Sequence, residues 1–154
     1  MSDVLFRFAE QEDLSAIIRM LADDPLGAER EDASEPPATA YVQAFHDIHN
    51  DPRNELVVAD IDGQVVGCIQ LTFIPGLSHK GALRCQIEGV RIAQDFRGKK
   101  LGQQMFQWAI ARARSHNCAL VQLTSTASRV EALKFYERLG FTPSHVGMKL
   151  SLNT

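Results

Sequence analysis

No stretch of this chain approaches the roughly 20 consecutive apolar residues that a membrane-spanning helix needs. The opening Met1-Ser2-Asp3-Val4 also lacks the basic region and apolar run of a secretory signal. No membrane partner is expected, and the cytoplasm is the expected location. Cysteine is scarce: Cys68, Cys85 and Cys118 are odd in number, widely spaced and each in or beside an apolar segment. Buried free thiols fit that pattern better than a disulfide framework or a CxxC metal site. His46 and His49 lie three apart on an expected helix, but no third ligand accompanies them, so no metal is expected. Internal repeats, linkers and low-complexity tracts are missing. So are the Walker loop GxxxxGK[ST] and the dinucleotide motif GxGxxG, which sets aside the usual nucleotide sites.

What is present is ordinary in bulk. At 154 residues, 45% apolar and 23% charged, the chain reads as a single domain over residues 1–154. The net charge of −3 argues against a nucleic-acid partner, and its distribution says more than its sum. Residues 23–35 hold Asp23, Asp24, Glu29, Glu31, Asp32 and Glu35 against Arg30 alone, a local −5 that leaves the remainder at +2.

Alternation predicts a strand over Val4 to Phe8, and Leu14, Ile17, Ile18 and Leu21 predict a helix ending before Pro25. The acidic segment and Pro36-Pro37 are expected to interrupt regular structure, before a helix marked by Tyr41, Ala44, Phe45 and Ile48. That region would form a lid. Leu56–Ile61 and Val65–Phe73 read as strands joined at Asp62-Gly63, a two-residue hairpin signal, and Ala82–Ile92 as the next strand. The helix from Leu101 has an apolar surface too wide for one solvent-facing side. Ala119 to Thr124 would add a strand, Ala132 to Leu139 a helix, and His145 to Leu152 a final strand. The expected fold is α/β: a mixed, mostly antiparallel sheet with helices on both faces.

The densest signal is Arg97-Gly98-Lys99-Lys100-Leu101-Gly102, between the strand ending at Ile92 and the helix from Leu101. The first N–H groups of a helix lack intrahelical partners and sit at the positive end of its dipole, so a cationic glycine turn delivering them is a phosphate site. The amides from Gly98 to Gln103 would hold a pyrophosphate, with Arg97, Lys99 and Lys100 assisting. Lys100 suits that role if its φ is negative, since only a positive φ or a close backbone approach would call for glycine.

A second segment, Ala132-Leu133-Lys134-Phe135-Tyr136-Glu137-Arg138-Leu139-Gly140-Phe141, closes a helix with glycine and an aromatic. The two segments together, with Gln86 to Ile92 ahead of the first, resemble the GNAT superfamily of acetyl-CoA-dependent N-acetyltransferases. Its Arg/Gln-x-x-Gly-x-Gly/Ala signature maps onto Arg97–Gly102, and its A-x-x-F-Y-E-x-x-G-F signature onto Ala132–Phe141. Lys100 stands where the family usually has glycine, and Arg129 where it often has asparagine. The resemblance implies acetyl-CoA as co-substrate, a splayed strand whose Val90 and Ile92 pair with the pantetheine arm, and cofactor contacts from Leu101, Gly102, Gln103, Arg129 and Tyr136.

It also implies that Tyr136 donates to the departing thiolate. A phenol at its ordinary pKa of ~10 is protonated at neutral pH and so is a competent acid. The other reading of Tyr136 is a core tyrosine beside Phe135. Glu88 is the candidate base for the amine, directly or through water, unless it is engaged in a salt bridge such as one with Arg91; Gly89 could mark a bulge there. His79 is the rival base. None of the cysteines has the setting of an activated nucleophile, so direct attack within a ternary complex is expected. The expected activity is acetyl transfer to a primary amine, with Glu29, Glu31 and Asp32 bordering the acceptor pocket and favouring a cationic small molecule. Alternatives are a protein N-terminal or lysine acetyltransferase, a non-catalytic acyl-CoA-binding or sensing module, and an interaction scaffold. An exposed C-terminal strand edge makes a homodimer an expectation as well.

Overall fold

The computed structural model describes residues 3–153 and divides into two compact units, Met1–Gln122 and Leu123–Thr154. In the first unit, β1 (Leu5–Phe8), β2 (Asn54–Ile61), β3 (Gln64–Ile74), β4 (Arg84–Ile92) and β5 (Leu120–Gln122) form a five-stranded sheet in that order. The junctions from β1 to β4 are antiparallel, and β5 lies parallel to β4. Asp62 and Gly63 turn β2 into β3 with φ of 52° and 84°, the left-handed pair that matches strand twist in a tight hairpin.

Helices cover both faces of the sheet. On one, Leu14, Ile17 and Ile18 of α1 (Leu14–Ala22) and Phe45 of α3 (Thr39–His49) pack around Val58 and Cys68. On the other, Ala59 packs with Leu101, the first residue of α5 (Leu101–Ser115). Each large apolar side chain buried this way is worth about 1.5–3 kcal/mol. Arg7 of β1 clamps the entry to α1, donating to both carboxylate oxygens of Asp13 at 2.8 and 3.0 Å and to Asp60 at 3.0 Å. Burial alone would raise the Asp13 carboxyl, but the Arg7 hydrogen bonds and the Glu10 N–H outweigh it and hold the group below its ordinary range.

Two expectations are corrected here. The acidic segment is not wholly irregular: α2 (Pro25–Arg30) forms inside it, because Asp24 caps the helix by accepting from the Gly27 N–H and Pro25 supplies the first turn. In the second unit α6 (Val130–Arg138) forms, but residues 145–152 carry no regular secondary structure. Alternation supplies one apolar face and not the ladder partner a strand requires, and Val146, Met148, Leu150 and Leu152 stay 85–91% exposed.

Candidate functional site

The site begins with a ladder that stops. β4 pairs with β5 only through Arg84–Gln86 opposite Leu120–Gln122, so from Ile87 to Ile92 β4 has no strand neighbour on that side among the described residues. This is the splay. On its other side β4 carries an extra residue: Gln70 faces Glu88 while Cys68 faces Arg91, and Gly89 sits in the irregularity with φ +64°. The bulge reverses the alternation, bringing Arg91 onto the face of Glu88 and sending Ile92 to the face of α5. The Val90 carbonyl accepts from Arg91 Nη1 at 2.8 Å and the Ile92 carbonyl from Arg97 Nε at 3.0 Å.

Beyond Ile92 a short 3-10 turn, Gln94–Phe96, leads into the glycine turn and α5. Gly98 has φ +77°, with nothing within 4 Å of where a Cβ would stand. Lys100, immediately before the helix, has φ +63°, which corrects the expectation of a negative φ. The chain must turn left-handed to present the first α5 amides outward, and a lysine bears that strain where glycine would not. Lys99 lies over the Phe96 ring at 5.5 Å, and Lys99 and Lys100 are exposed. Arg97, Gly98, Lys99, Lys100 and the α5 residues Leu101, Gly102 and Gln103 thus make one cationic, amide-rich turn. Its donors suit a pyrophosphate.

Glu88 is exposed and makes no hydrogen bond or ion pair with any described residue, so the salt bridge with Arg91 does not form. Arg91 turns instead toward Asp24, 3.8 Å away, and its Nε is buried with no hydrogen-bond partner. A row of polar side chains on the same sheet face was not foreseen. Thr72 and Gln70 donate to Asn54 at 2.8 and 3.5 Å, and Gln122 donates to Gln86 at 2.7 Å. The available signal was polar residues in central strands, where a helix-covered face would be apolar.

Most of the acidic segment is already engaged. Asp23 lies 3.4 Å from Arg97, Glu35 pairs with Arg19 at 3.1 Å, and Glu31 accepts from Tyr41 and Arg30 at 2.9 and 3.0 Å. Hydrogen bonds from the Ser34 side chain and from the Ser34 N–H, the latter at 3.0 Å, lower the Asp32 carboxyl pKa, while Glu29 pairs with no described residue. Hydrogen bonding from Gly27 lowers the Asp24 carboxyl in the same way.

His79 falls beside Arg84 at the start of β4, lining a hollow of about 240 Å³ with Ser78 and Leu120 and set apart along the strand from Glu88. Its φ is +55° and that of Lys80 is +61°. In the second unit Arg129 precedes α6, and the Tyr136 ring meets Phe135 and Phe141 edge to face at 5.5 and 6.1 Å. Burial pushes the thiols of Cys68 and Cys85 up to about 12, far from thiolate chemistry at neutral pH. His46 and His49 pack on Phe45, and no group of three metal-ligating side chains occurs among the described residues.

Comparison with known proteins agrees with this geometry. Residues 16–141 match the Acetyltransferase (GNAT) family. The aminoalkylphosphonate N-acetyltransferase of Salmonella typhimurium is 33% identical over 95 residues, 62% of this chain and 61% of that enzyme. The glucosamine 6-phosphate N-acetyltransferase of Trypanosoma brucei brucei is 32% identical over 90 residues, 58% of this chain and 59% of that enzyme. The matches therefore span about three fifths of these relatives. Among solved structures, a transcriptional regulator from Bacillus halodurans C-125 is 45% identical with a TM-score of 0.94, covering 97% of this chain and 100% of that one.

Proposed function

The chain belongs to the GNAT acetyltransferase family, and on that premise we propose that it moves the acetyl group of acetyl-CoA to a primary amine by direct attack in a ternary complex. The observation that carries this reading is the ladder ending at Gln86 on a strand that runs into the glycine turn of α5. An exposed backbone edge followed by helix-terminal amides suits a pantetheine arm followed by a pyrophosphate. Val90 and Ile92 would pair with the arm, Gly98 to Gln103 would hold the phosphates with Arg97, Lys99 and Lys100, and the family signature assigns cofactor contacts to Arg129 and Tyr136 as well.

Acetyl-CoA supplies a thioester carbon that the amine attacks. The carbon–nitrogen bond forms, the carbon–sulfur bond breaks, Glu88 takes the amine proton directly or through water, and Tyr136 protonates the sulfur. The unpaired Glu88 supports the base assignment over His79, which stands at the far end of β4.

Two acceptor readings are distinguishable. A surplus of carboxylates over residues 23–35, Glu29, Glu31 and Asp32 among them, favours a cationic amine, and of these three Glu31 and Asp32 are locally engaged. The half-satisfied Arg91, on the same face as Glu88, favours an amine that also carries an anionic group. The names of the two curated relatives, which act on a phosphonate and a phosphate ester, support this second reading.

The test is a panel of amines assayed for release of free CoA, with calorimetry for acetyl-CoA itself. Binding with turnover supports the enzyme; no binding overturns the family-based site. Binding without turnover on small amines, protein N-termini or lysines points to an acyl-CoA sensor, a role compatible with the regulatory name of the 45% identical protein.

A further inference from the structure

The backbone carbonyls that a pantetheine arm would need are already taken. In a trans peptide the C=O and the N–H that follows it point opposite ways. The Ala93 N–H donates to the Val66 carbonyl of β3 at 2.8 Å, so the Ile92 carbonyl points away from β3, and alternation along the ladder turns the Val90 carbonyl the same way. Each of these outward carbonyls accepts from a nearby guanidinium: Val90 from Arg91 Nη1 at 2.8 Å, and Ile92 from Arg97 Nε at 3.0 Å. Adjacent aspartates at the junction of α1 and α2 face the same two arginines. Asp23 lies 3.4 Å from Arg97 Nη2, and Asp24 lies 3.8 Å from Arg91 Nε. Neither hold is strong. The Asp23–Arg97 pair is half exposed on both sides, where an ion pair contributes little, and Arg91 Nε is buried without a hydrogen-bond acceptor.

We propose that Arg91 and Arg97 close the cofactor edge of β4 and that the pantetheine arm opens it by exchange. The amide N–H groups of the arm take over the Val90 and Ile92 carbonyls. Arg97, displaced, turns to the phosphates at the glycine turn, and Arg91, displaced, brings its half-satisfied guanidinium to an anionic group on the acceptor. Recognition of that group is thereby switched on by the cofactor. This rests on the acetyl-CoA reading above and adds a linkage to it: cofactor and anionic acceptor each tighten the other by the same factor, through Arg91. A carbonyl has two lone pairs, so the competing arrangement is an arm that binds beside the arginines and leaves them in place. The two arrangements differ in what removing Arg91 does to cofactor affinity.

Calorimetry with CoA, which has no acetyl group to transfer, separates them. Arg91→Met keeps the apolar stem of the side chain and removes its donors. If the guanidinium must leave, the variant should bind CoA about three- to tenfold more tightly, the scale of one hydrogen bond; equal or weaker binding overturns the exchange. In the unaltered chain, 2-aminoethylphosphonate, a small amine with an anionic end, should tighten CoA by about fivefold or more, and Arg91→Met should abolish that effect. CoA affinity indifferent to the phosphonate, or a gain that survives in the variant, overturns the linkage. Should the variant not fold, nitrogen-15 spectra of the arginine side chains in the unaltered chain decide. The Arg97 Nε–H signal should move on addition of pantetheine, which has the amides and no phosphate, and an unmoved signal overturns the exchange. A chain that binds no CoA fails instead at the family-based site, a result distinct from one that binds CoA with its arginines in place.

Discussion

Tyr136 and Phe141 are the two ends of one hydrogen bond: the Phe141 N–H donates to the Tyr136 carbonyl at 3.0 Å, while the Gly140 N–H donates to Glu137 at 3.0 Å. With Gly140 at φ +102°, this is a Schellman closure of α6, and the edge-to-face contact of the two rings is its usual apolar companion. The family signature from Phe135 to Phe141 is thus a helix terminus before it is a catalytic motif. It fixes the position of the Tyr136 backbone, whereas the proposed chemistry rests on the phenol.

That division of labour separates two substitutions. Tyr136→Phe keeps the ring and the closure, so the melting temperature should hold while kcat falls by roughly 10²–10⁴, the usual range for general acid–base catalysis. Gly140→Ala should do the reverse, costing roughly 1–2 kcal/mol of stability through its positive φ. An unchanged kcat in Tyr136→Phe would reduce the side chain to packing.

Arg91 and Glu88 share a face only because β4 bulges at Gly89. Glu88→Gln should lower kcat/KM by roughly 10²–10⁴ for every acceptor. Arg91→Gln should raise KM by about tenfold or more for amines bearing phosphonate, phosphate or carboxylate, on the scale of one charge-assisted hydrogen bond, and leave neutral amines unchanged. Replacing Glu29, Glu31, Asp32 and Glu35 by amides tests the competing reading: a cation preference and a salt dependence should both disappear. Steady-state kinetics across the amine panel reads all three.

Much of this was legible from the chain because local rules agree with the global fold. Asp62-Gly63 specified a hairpin, the stripe of α1 its buried face, and the glycine turn its helix entry. What escaped depends on information outside any short window. Alternation in residues 145–152 could not say whether a partner strand exists. The sign of φ at Lys100 follows from where the strand and helix must meet. The polar row of Asn54, Gln70, Thr72, Gln86 and Gln122 becomes a site only when four strands are placed in register.

Asp13 gives a pH dependence with a defined sign. Its folded pKa lies below the unfolded value of ~3.9, so its contribution is complete above that value and is lost as pH falls through the folded one. Melting temperature should therefore drop below about pH 4. Asp13→Asn, which leaves Arg7 half-paired, should cost about 2 kcal/mol at neutral pH and flatten that acid limb. Thermal unfolding of both proteins from neutral to acid pH measures it; an acid limb of equal depth in the variant would assign it to other carboxylates.

Lys100 and Gly98 make a matched pair in the glycine turn, both with positive φ and opposite side-chain status. A non-glycine residue in the left-handed region costs roughly 1–2 kcal/mol, and glycine loses about 0.4–1 kcal/mol through the greater freedom of the unfolded chain. The first effect is the larger, so Lys100→Gly should stabilise by about 0.5–1 kcal/mol, a rise of roughly 1–4 °C for a chain of this size. Gly98→Ala meets no neighbouring atom at its Cβ and should destabilise through φ alone. Affinity for CoA separates backbone from side chain. If the α5 amides and the other cations hold the pyrophosphate, Lys100→Gly should change Kd by no more than a few fold, whereas Gly98→Ala should weaken binding by tilting the amides away. A large loss in Lys100→Gly with Gly98→Ala unaffected would mean that the lysine ammonium, not the turn, grips the phosphate.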